Sequence, residues 1–443
     1  MDAPLCRGDF DSDGDVDAAD LVVFSENYGR TNCSCQQVKF VKPGESIQSV
    51  IDSIKDASVN KPYIVVLPPG VYVESARIDV PRYIDIIGSG KARAMIEATT
   101  AITSSILELD NEDVIVKGLK LTGADWGHNI DLLSIKDCRK AIIENITCRK
   151  AQGNGIAIDH SVQFVSKCLW IKNFDIASVR SSAVRNKGLG YARVYIDGGH
   201  ISTNPSFPEA HGIEGHFVGS IKNIRMTRVG GSHFKIHGSQ VGLTISDCHL
   251  EQAVSGIGIH LRDCNKVIVR NIAMWSMPDY PMDYAVYLEN CQDCIIESCL
   301  VSASTGSNNH VSFYADADSK NNTFRNNRVI NLTGNQKKYE VSACNTIIDN
   351  GEIVQAGMVS LQHWSYSELD SSAGAITGTL PDGTKIGQRK TIVMTDATAS
   401  STVSVTHHET SDPEVGTFDA VDEFWILEWM GTKWVTIKAT CSF

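Results

Sequence analysis

Three segments of this chain can be laid over one another: LLSIKDCRKAIIENITC, GIGIHLRDCNKVIVRNIAM and AVYLENCQDCIIESCLV. Each opens with alternating apolar residues, turns at an Asp-Cys or Asn-Cys step, and continues with a second alternating strand. Looser copies are GIAIDHSVQFVSKCLWIKNF, HGIEGHFVGSIKNIRM, HFKIHGSQVGLTISDCHL and HVSFYADADSKNNTFRNNRVI. The period-two alternation excludes a helical repeat. A unit this short cannot bury its apolar face alone, so neighbouring copies must stack. The inward pairs read Ile156/Ile158, Val184/Asn186, Ile213/Gly215, Phe234/Ile236, Ile257/Ile259, Val286/Leu288 and Val311/Phe313. The spacing of these anchors, between 21 and 29 residues, suits a coil of three short strands per turn.

The repeats also place the cysteines. Cys138, Cys264 and Cys291 fall at one point of their turns, and Cys148 and Cys299 at a second. Buried free cysteine packs as a small hydrophobe, so ladders of thiols are expected inside the coil in place of disulfides. Asn145, Asn271 and Asn327 are expected to form an asparagine ladder at a turn. The formal net charge of −12 argues against nucleic acid as the main partner. No apolar run is long enough for a membrane span. The start, MDAPLCRGDF, does not read as a signal peptide.

From about residue 40 the text resembles pectate-lyase-like β-helices. GESIQSVIDSIKDA reads as their capping helix, and YIVVLPPGVYVESARIDVPRYIDIIGSG as their first turns. The resemblance implies an all-β chain whose residues 39–350 form a right-handed parallel β-helix. A module at 1–38 precedes it, and a small antiparallel β domain at 351–443 follows.

Residues 9–20 read DFDSDGDVDAAD. Asp9, Asp11, Asp13, Asp17 and Asp20 occupy loop positions 1, 3, 5, 9 and 12. Asp15 offers a carbonyl at position 7, and Gly14 stands at the sharp turn. Five carboxylates this close repel one another unless a cation neutralises them, so Ca2+ is the expected cofactor. Asp at the last position resembles the dockerin form of the loop. Only one loop is present, which points to a structural staple, with a bridge from Cys6 to Cys33 or Cys35 as a further possibility.

Outward residues of the stacked strands should line up as a polar strip. One column reads Ala157, Arg185, Glu214, Lys235, Gly258, Tyr287, Ser312, and the next Asp159, Lys187, His216, His237, His260, Glu289, Tyr314. Such a strip suits a polysaccharide. Tyr287 and Tyr314 would stack on sugar rings, while Arg185, Lys187, His237, His260 and Glu289 bond hydroxyls or uronate carboxylates. For catalysis the candidates are Asp159, Glu214, His216 and Lys235. Glycoside hydrolysis needs two carboxyls at a set separation, and Asp159 with Glu214 is a marginal pair. A lyase needs a base beside a neutralised uronate, a role open to Arg185, Lys187, Lys235 or His216.

Behind the coil, TLPDGTKIGQRKTIVMTDA, VSVTHHE and FWILEWMGTKWVTI resemble small β domains that end phage tail proteins. Asp382-Gly383 and Gly431 are expected at hairpin turns, and the rung pattern is expected to stop after Gly351. Together with the capped coil, this resembles phage tailspikes. The resemblance implies a homotrimeric virion-surface or extracellular protein, engaging cell-surface polysaccharide and contacting other virion proteins. The alternatives are a secreted polysaccharide lyase or glycoside hydrolase, and a non-catalytic adhesin or decoration protein.

Overall fold

The computed structural model describes residues 37–443, apart from 92, 111–113, 125–128, 160–167, 189–192, 240–241, 255, 276–281, 303–310, 331–336, 343, 349–350, 355–356 and 362–365. The calcium-loop aspartates Asp9, Asp11, Asp13, Asp15, Asp17 and Asp20, and Cys6, Cys33 and Cys35, lie outside the described residues.

The chain is a parallel β-solenoid. Each turn contributes one short strand to an 11-stranded sheet and further strands to a 19-stranded sheet. The stacking is driven by aliphatic ladders. Ile143, Ile171, Ile196, Ile221, Ile245, Val269, Ile296 and Phe324 follow one another in register, each wholly buried. At ~25 cal/mol per Å² of apolar surface removed from water, each such residue contributes about 2 kcal/mol.

Long strands such as Lys140–Ala151 bend sharply within the second sheet. The bend falls at one residue of left-handed conformation: Asn145, Asn173, Asn223 and Asn271, with φ between 50° and 58°. Asparagine tolerates that region better than most residues, which is why it recurs. The expected ladder is thereby corrected at its far end. Asn326, with φ 53°, takes the bend, whereas Asn327 is buried and holds the Cys299 N–H at 3.0 Å.

The first turns are closed by the expected helix, Ile47–Asp52, which buries Ile47, Val50 and Ile51. Ser46 caps it, and Glu74 from the coil accepts the Ile47 N–H at 2.6 Å. The helix thus covers apolar stack that would otherwise face water at the end turn.

All ten described cysteines are free. Cys138, Cys264 and Cys291 do share one position, each Sγ facing a carbonyl of the preceding turn, on Leu109, Ile236 and Leu261 respectively. The second ladder differs from expectation. Cys148 stacks on Ile176, whereas Cys299 precedes Leu300, whose neighbour Ala273 pairs with His249, next to Cys248. Burial pushes the Cys148, Cys248 and Cys299 thiols up to about 12, so they act as packing.

The coil's apolar core ends near Tyr339, and a second begins at Val354. This C-terminal region holds the expected antiparallel strands: Phe424–Trp429 pairs with Trp434–Ala439, and Ser401–Val405 with Glu414–Phe418. Two corrections apply. Parallel pairing does not stop at Gly351 but runs on through Arg389–Asp396 and Ser401–Val405. Gly431 does turn a hairpin, but Asp382-Gly383 links strands of different sheets. His407 and His408 point apart: His407 pairs with Asp382 at 2.7 Å, while His408 is buried between Thr410 and Thr436.

Candidate functional site

The 11-stranded sheet carries the strip expected to meet ligand, and its register corrects the alignment of that strip. Phe234 pairs with Ile259, not Ile257, and Val286 pairs with Phe313, not Val311. The outward column therefore runs Ala157, Arg185, Glu214, Lys235, His260, Tyr287, Tyr314. Gly258 and Ser312 drop out of it. His260 and Tyr314 move into it from the neighbouring column, where Arg262 follows His237 and precedes Glu289. A two-residue slip keeps a side chain on its face and changes only its row. The sequence G-I-G-I-H-L offers three alternating apolar residues, so either register buries two of them.

Two contact groups result. In the first, Glu214 is buried against its own sheet and accepts a hydrogen bond from the Ser182 hydroxyl. Its carboxylate lies 3.5 Å from Arg185 Nε and 3.9 Å from Lys235 Nζ. Lys235 Nζ also lies 3.1 Å from His211 Nε2, while His211 Nδ1 accepts the Ser232 N–H at 2.9 Å. Burial, followed by the charge of Lys235, pushes the His211 imidazole down to about 4, so it is neutral at physiological pH.

In the second group, the His260 ring lies flat on Tyr287, with centroids 4.8 Å apart and planes within 2°. Tyr314 and Tyr284 close the cluster, at 5.0 Å and 5.2 Å from Tyr287. Glu289 holds His260 Nε2 at 2.9 Å and faces Arg262 Nε at 3.6 Å. Burial lowers the His260, His237 and His216 imidazoles below their ordinary value. These three are therefore hydrogen-bonding groups rather than cations near pH 7.

His216 and Gly238 touch closely: a Cβ on Gly238 would stand 2.9 Å from His216 Nδ1. Asp159 and Lys187 lie further along, in a depression of about 140 Å³ shared with Lys136, Asp131 and Glu108. There Lys187 pairs with Asp131 at 3.0 Å. A larger depression of about 450 Å³, between the capping helix and Arg77, Asp79 and Glu108, continues the same face. Asp159 and Glu214 stand two turns and two residues apart, more than about 10 Å at strand spacing. That is beyond the separation of a retaining hydrolase pair, and Glu214 is already engaged by two cations.

Sequence reasoning missed His211, Ser182, Ser232 and Tyr284. The first three each precede by two positions the first inward residue of their strand. All three are buried polar groups at the rim of the strip. A polar residue recurring at that offset was the available signal. His211 was obscured because it closes a long loop-rich segment.

A family profile described as rhamnogalacturonase A/epimerase, pectate lyase-like, matches residues 43–279. A second, described as a right-handed beta helix region, matches residues 196–369. No curated protein sequence matches the chain. Among solved structures, the tailspike protein of E. coli bacteriophage HK620 aligns with a TM-score of 0.52 at 10% identity, over 79% of this chain and 70% of that one. An alginate lyase from Paenibacillus aligns with a TM-score of 0.46 at 12% identity, over 70% of this chain and 99% of that one. A mannuronan C-5 epimerase A-module from Azotobacter vinelandii aligns with a TM-score of 0.38 at 15% identity, over 75% of this chain and 89% of that one. The tailspike likeness extends to the fold alone. The profile match spans more than half of the sequence, and the chain belongs to the rhamnogalacturonase A/epimerase, pectate lyase-like family.

Proposed function

We propose that the outward face of the 11-stranded sheet binds an acidic polysaccharide at a cell surface, in the manner of a tailspike-like receptor-binding protein. The observation that carries this reading is the continuity of Arg185, Glu214 and Lys235 with the His260–Tyr287–Tyr314 stack along one column. The cations, two against one carboxylate, suit uronate groups. The aromatic rings offer flat apolar surface to pyranose faces. The HK620 tailspike was solved with a pentasaccharide; the present reading rests on these side chains, not on that likeness.

Affinity electrophoresis in gels containing alginate, polygalacturonate or hyaluronate tests it. Wild-type protein should be retarded by at least one of the three, and Arg185→Ala and Tyr287→Ala should restore mobility. Equal mobility of all three proteins in every gel would refute the reading.

A second reading, polysaccharide lyase or epimerase chemistry, is favoured by the His211–Lys235 contact. The neutral imidazole holds Lys235 Nζ over the face, where the lysine, in its deprotonated form, would remove the proton beside a uronate carboxylate neutralised by Arg185. A rise in absorbance at 235 nm that Lys235→Gln abolishes would favour a lyase. A glycoside hydrolase reading has less support, since no suitably spaced free carboxylate pair accompanies Glu214 among the described residues.

Beyond this face, we propose that the Asp9–Asp20 loop binds Ca2+, which isothermal titration of the chelator-treated chain would detect. The homotrimer, and a place on a virion or outside the cell, belong to the same proposal. Sedimentation equilibrium showing a monomer would count against the trimer.

A further inference from the structure

The neighbouring face of the coil carries a cluster that the reading above does not use. After the asparagine bend, the strands of the 19-stranded sheet present a second pair of outward columns. In one, Thr147, Asp175, His200, Arg225 and His249 follow in register; the other ends Thr227, Glu251, Trp275. His200 links Asp175, at 3.3 Å from Nδ1, to the Thr227 hydroxyl, at 3.0 Å from Nε2. Glu251 accepts from Arg225 at 3.1 Å and lies 2.7 Å from His249 Nε2. The His249 ring in turn stacks against Trp275, with centroids 6.2 Å apart. Trp275 is 37% exposed, an unusual position for so large an apolar ring.

The electrostatics of this patch differ from those of the other face. Arg149 pairs with Asp175, and Arg225 with Glu251. The hydrogen bond from His200, with that from Arg149, holds the Asp175 carboxyl down at about 2, so the first pair stays ionised and compensated. What remains outward is a set of fixed donors and acceptors beside an aromatic plate, with Ala177 and Ser202 leaving a low floor between Arg149 and Thr227. From Arg149 to Trp275 the strip covers five turns, about 24 Å at strand spacing. Fixed hydroxyl-bonding groups without net charge, next to a flat ring, match a neutral sugar chain rather than an anion.

We propose that this patch is a second carbohydrate site, specific for neutral oligosaccharide and centred on Trp275 and Glu251. It goes beyond the acidic-glycan face and stands on different residues.

The test is titration of the full chain with maltohexaose, cellohexaose and β-1,4-galactohexaose, read by calorimetry and saturation-transfer NMR. At least one should bind. Trp275→Ala and the conservative Glu251→Gln should each weaken it about tenfold or more, while Tyr287→Ala on the other face leaves it unchanged. Thermal melts confirm that the variants fold. The proposal is overturned if none of the three sugars binds at millimolar concentration, if Glu251→Gln and Trp275→Ala bind as wild type, or if Tyr287→Ala removes the binding instead.

Discussion

Two faces of the coil are built on the same turns, with the same rung spacing, and they present opposite chemistry. Before the asparagine bend, the 19-stranded sheet shows Lys117, Glu144, Lys172, Asp197 and Lys222 in succession. Cation and carboxylate alternate turn by turn, as in the 3.1 Å Lys222–Asp197 pair. Such a ladder removes like-charge repulsion between stacked strands and asks for no ligand. Midway along the 11-stranded sheet the same alternation appears, with Arg185, Glu214 and Lys235. It then adds a buried imidazole behind the lysine and a run of rings where the ladder would continue with charge. The comparison teaches that alternating charge is the ground state of a solenoid face. Departures from it, namely half-buried acids, neutral histidines and exposed rings, mark where a ligand is to be sought.

The largest expected effect sharpens this contrast through acidity. His233 is wholly buried, its Nε2 2.9 Å from the Glu251 carbonyl, and burial pushes it down to about 4 from 6.5. The folded state disfavours its protonation, so the stabilisation is complete above pH 6.5 and is lost as pH falls from there towards 4. By linkage this is on the order of 3 kcal/mol. Chemical denaturation at pH 7 and pH 4 should show the loss, and His233→Gln should reduce the dependence, leaving the part that the similarly lowered His211 contributes.

Next in size is the polar spine inside the coil. Asn322 is buried, accepts the Cys294 N–H at 2.9 Å and donates to the Cys291 carbonyl at 2.9 Å. Asn322→Ala leaves both backbone groups without that partner. Urea denaturation should report a loss of about 2–3 kcal/mol, with the outward faces unaltered in ligand binding.

A smaller effect separates the two faces directly. Tyr287→Ala should weaken acidic-polysaccharide binding about tenfold. Trp170→Ala, which removes half of the Trp170–Tyr195 stack on the ladder face, should leave that affinity unchanged in the same assay. If Trp170→Ala matters as much, the functional distinction between the faces fails.

The smallest effect is predicted for the ladder itself. Lys172→Ala should change stability by less than about 0.5 kcal/mol, because exposed pairs are worth little. A loss several times larger in a salt-dependent melt would show that the ladder acts as a network.

Much of this was legible beforehand, for reasons visible in particular residues. Alternation assigned Glu214, Lys235 and Tyr287 to the outward side, because a β-strand has only two sides. His260 and Tyr314 were assigned to the correct side and the wrong row, because Ile257, Ile259 and Leu261 are interchangeable as buried aliphatics. Cys148 was matched with Cys299 on chemical likeness, although stacking on Ile176 placed it elsewhere. His211 was not legible at all, since nothing local says that a loop closing at Gly212 returns its preceding side chain to Lys235 on the next turn.

The sequence by itself determined the coil, its cap, the bend at Asn145 and Asn271 and the sidedness of the seven aligned strands, since these follow from periodicity and from local backbone preference. Only the tertiary structure decided the register between turns, and with it which side chains touch. Turn lengths and the packing of whole ladders set that register, and a slip of two residues costs the local pattern nothing.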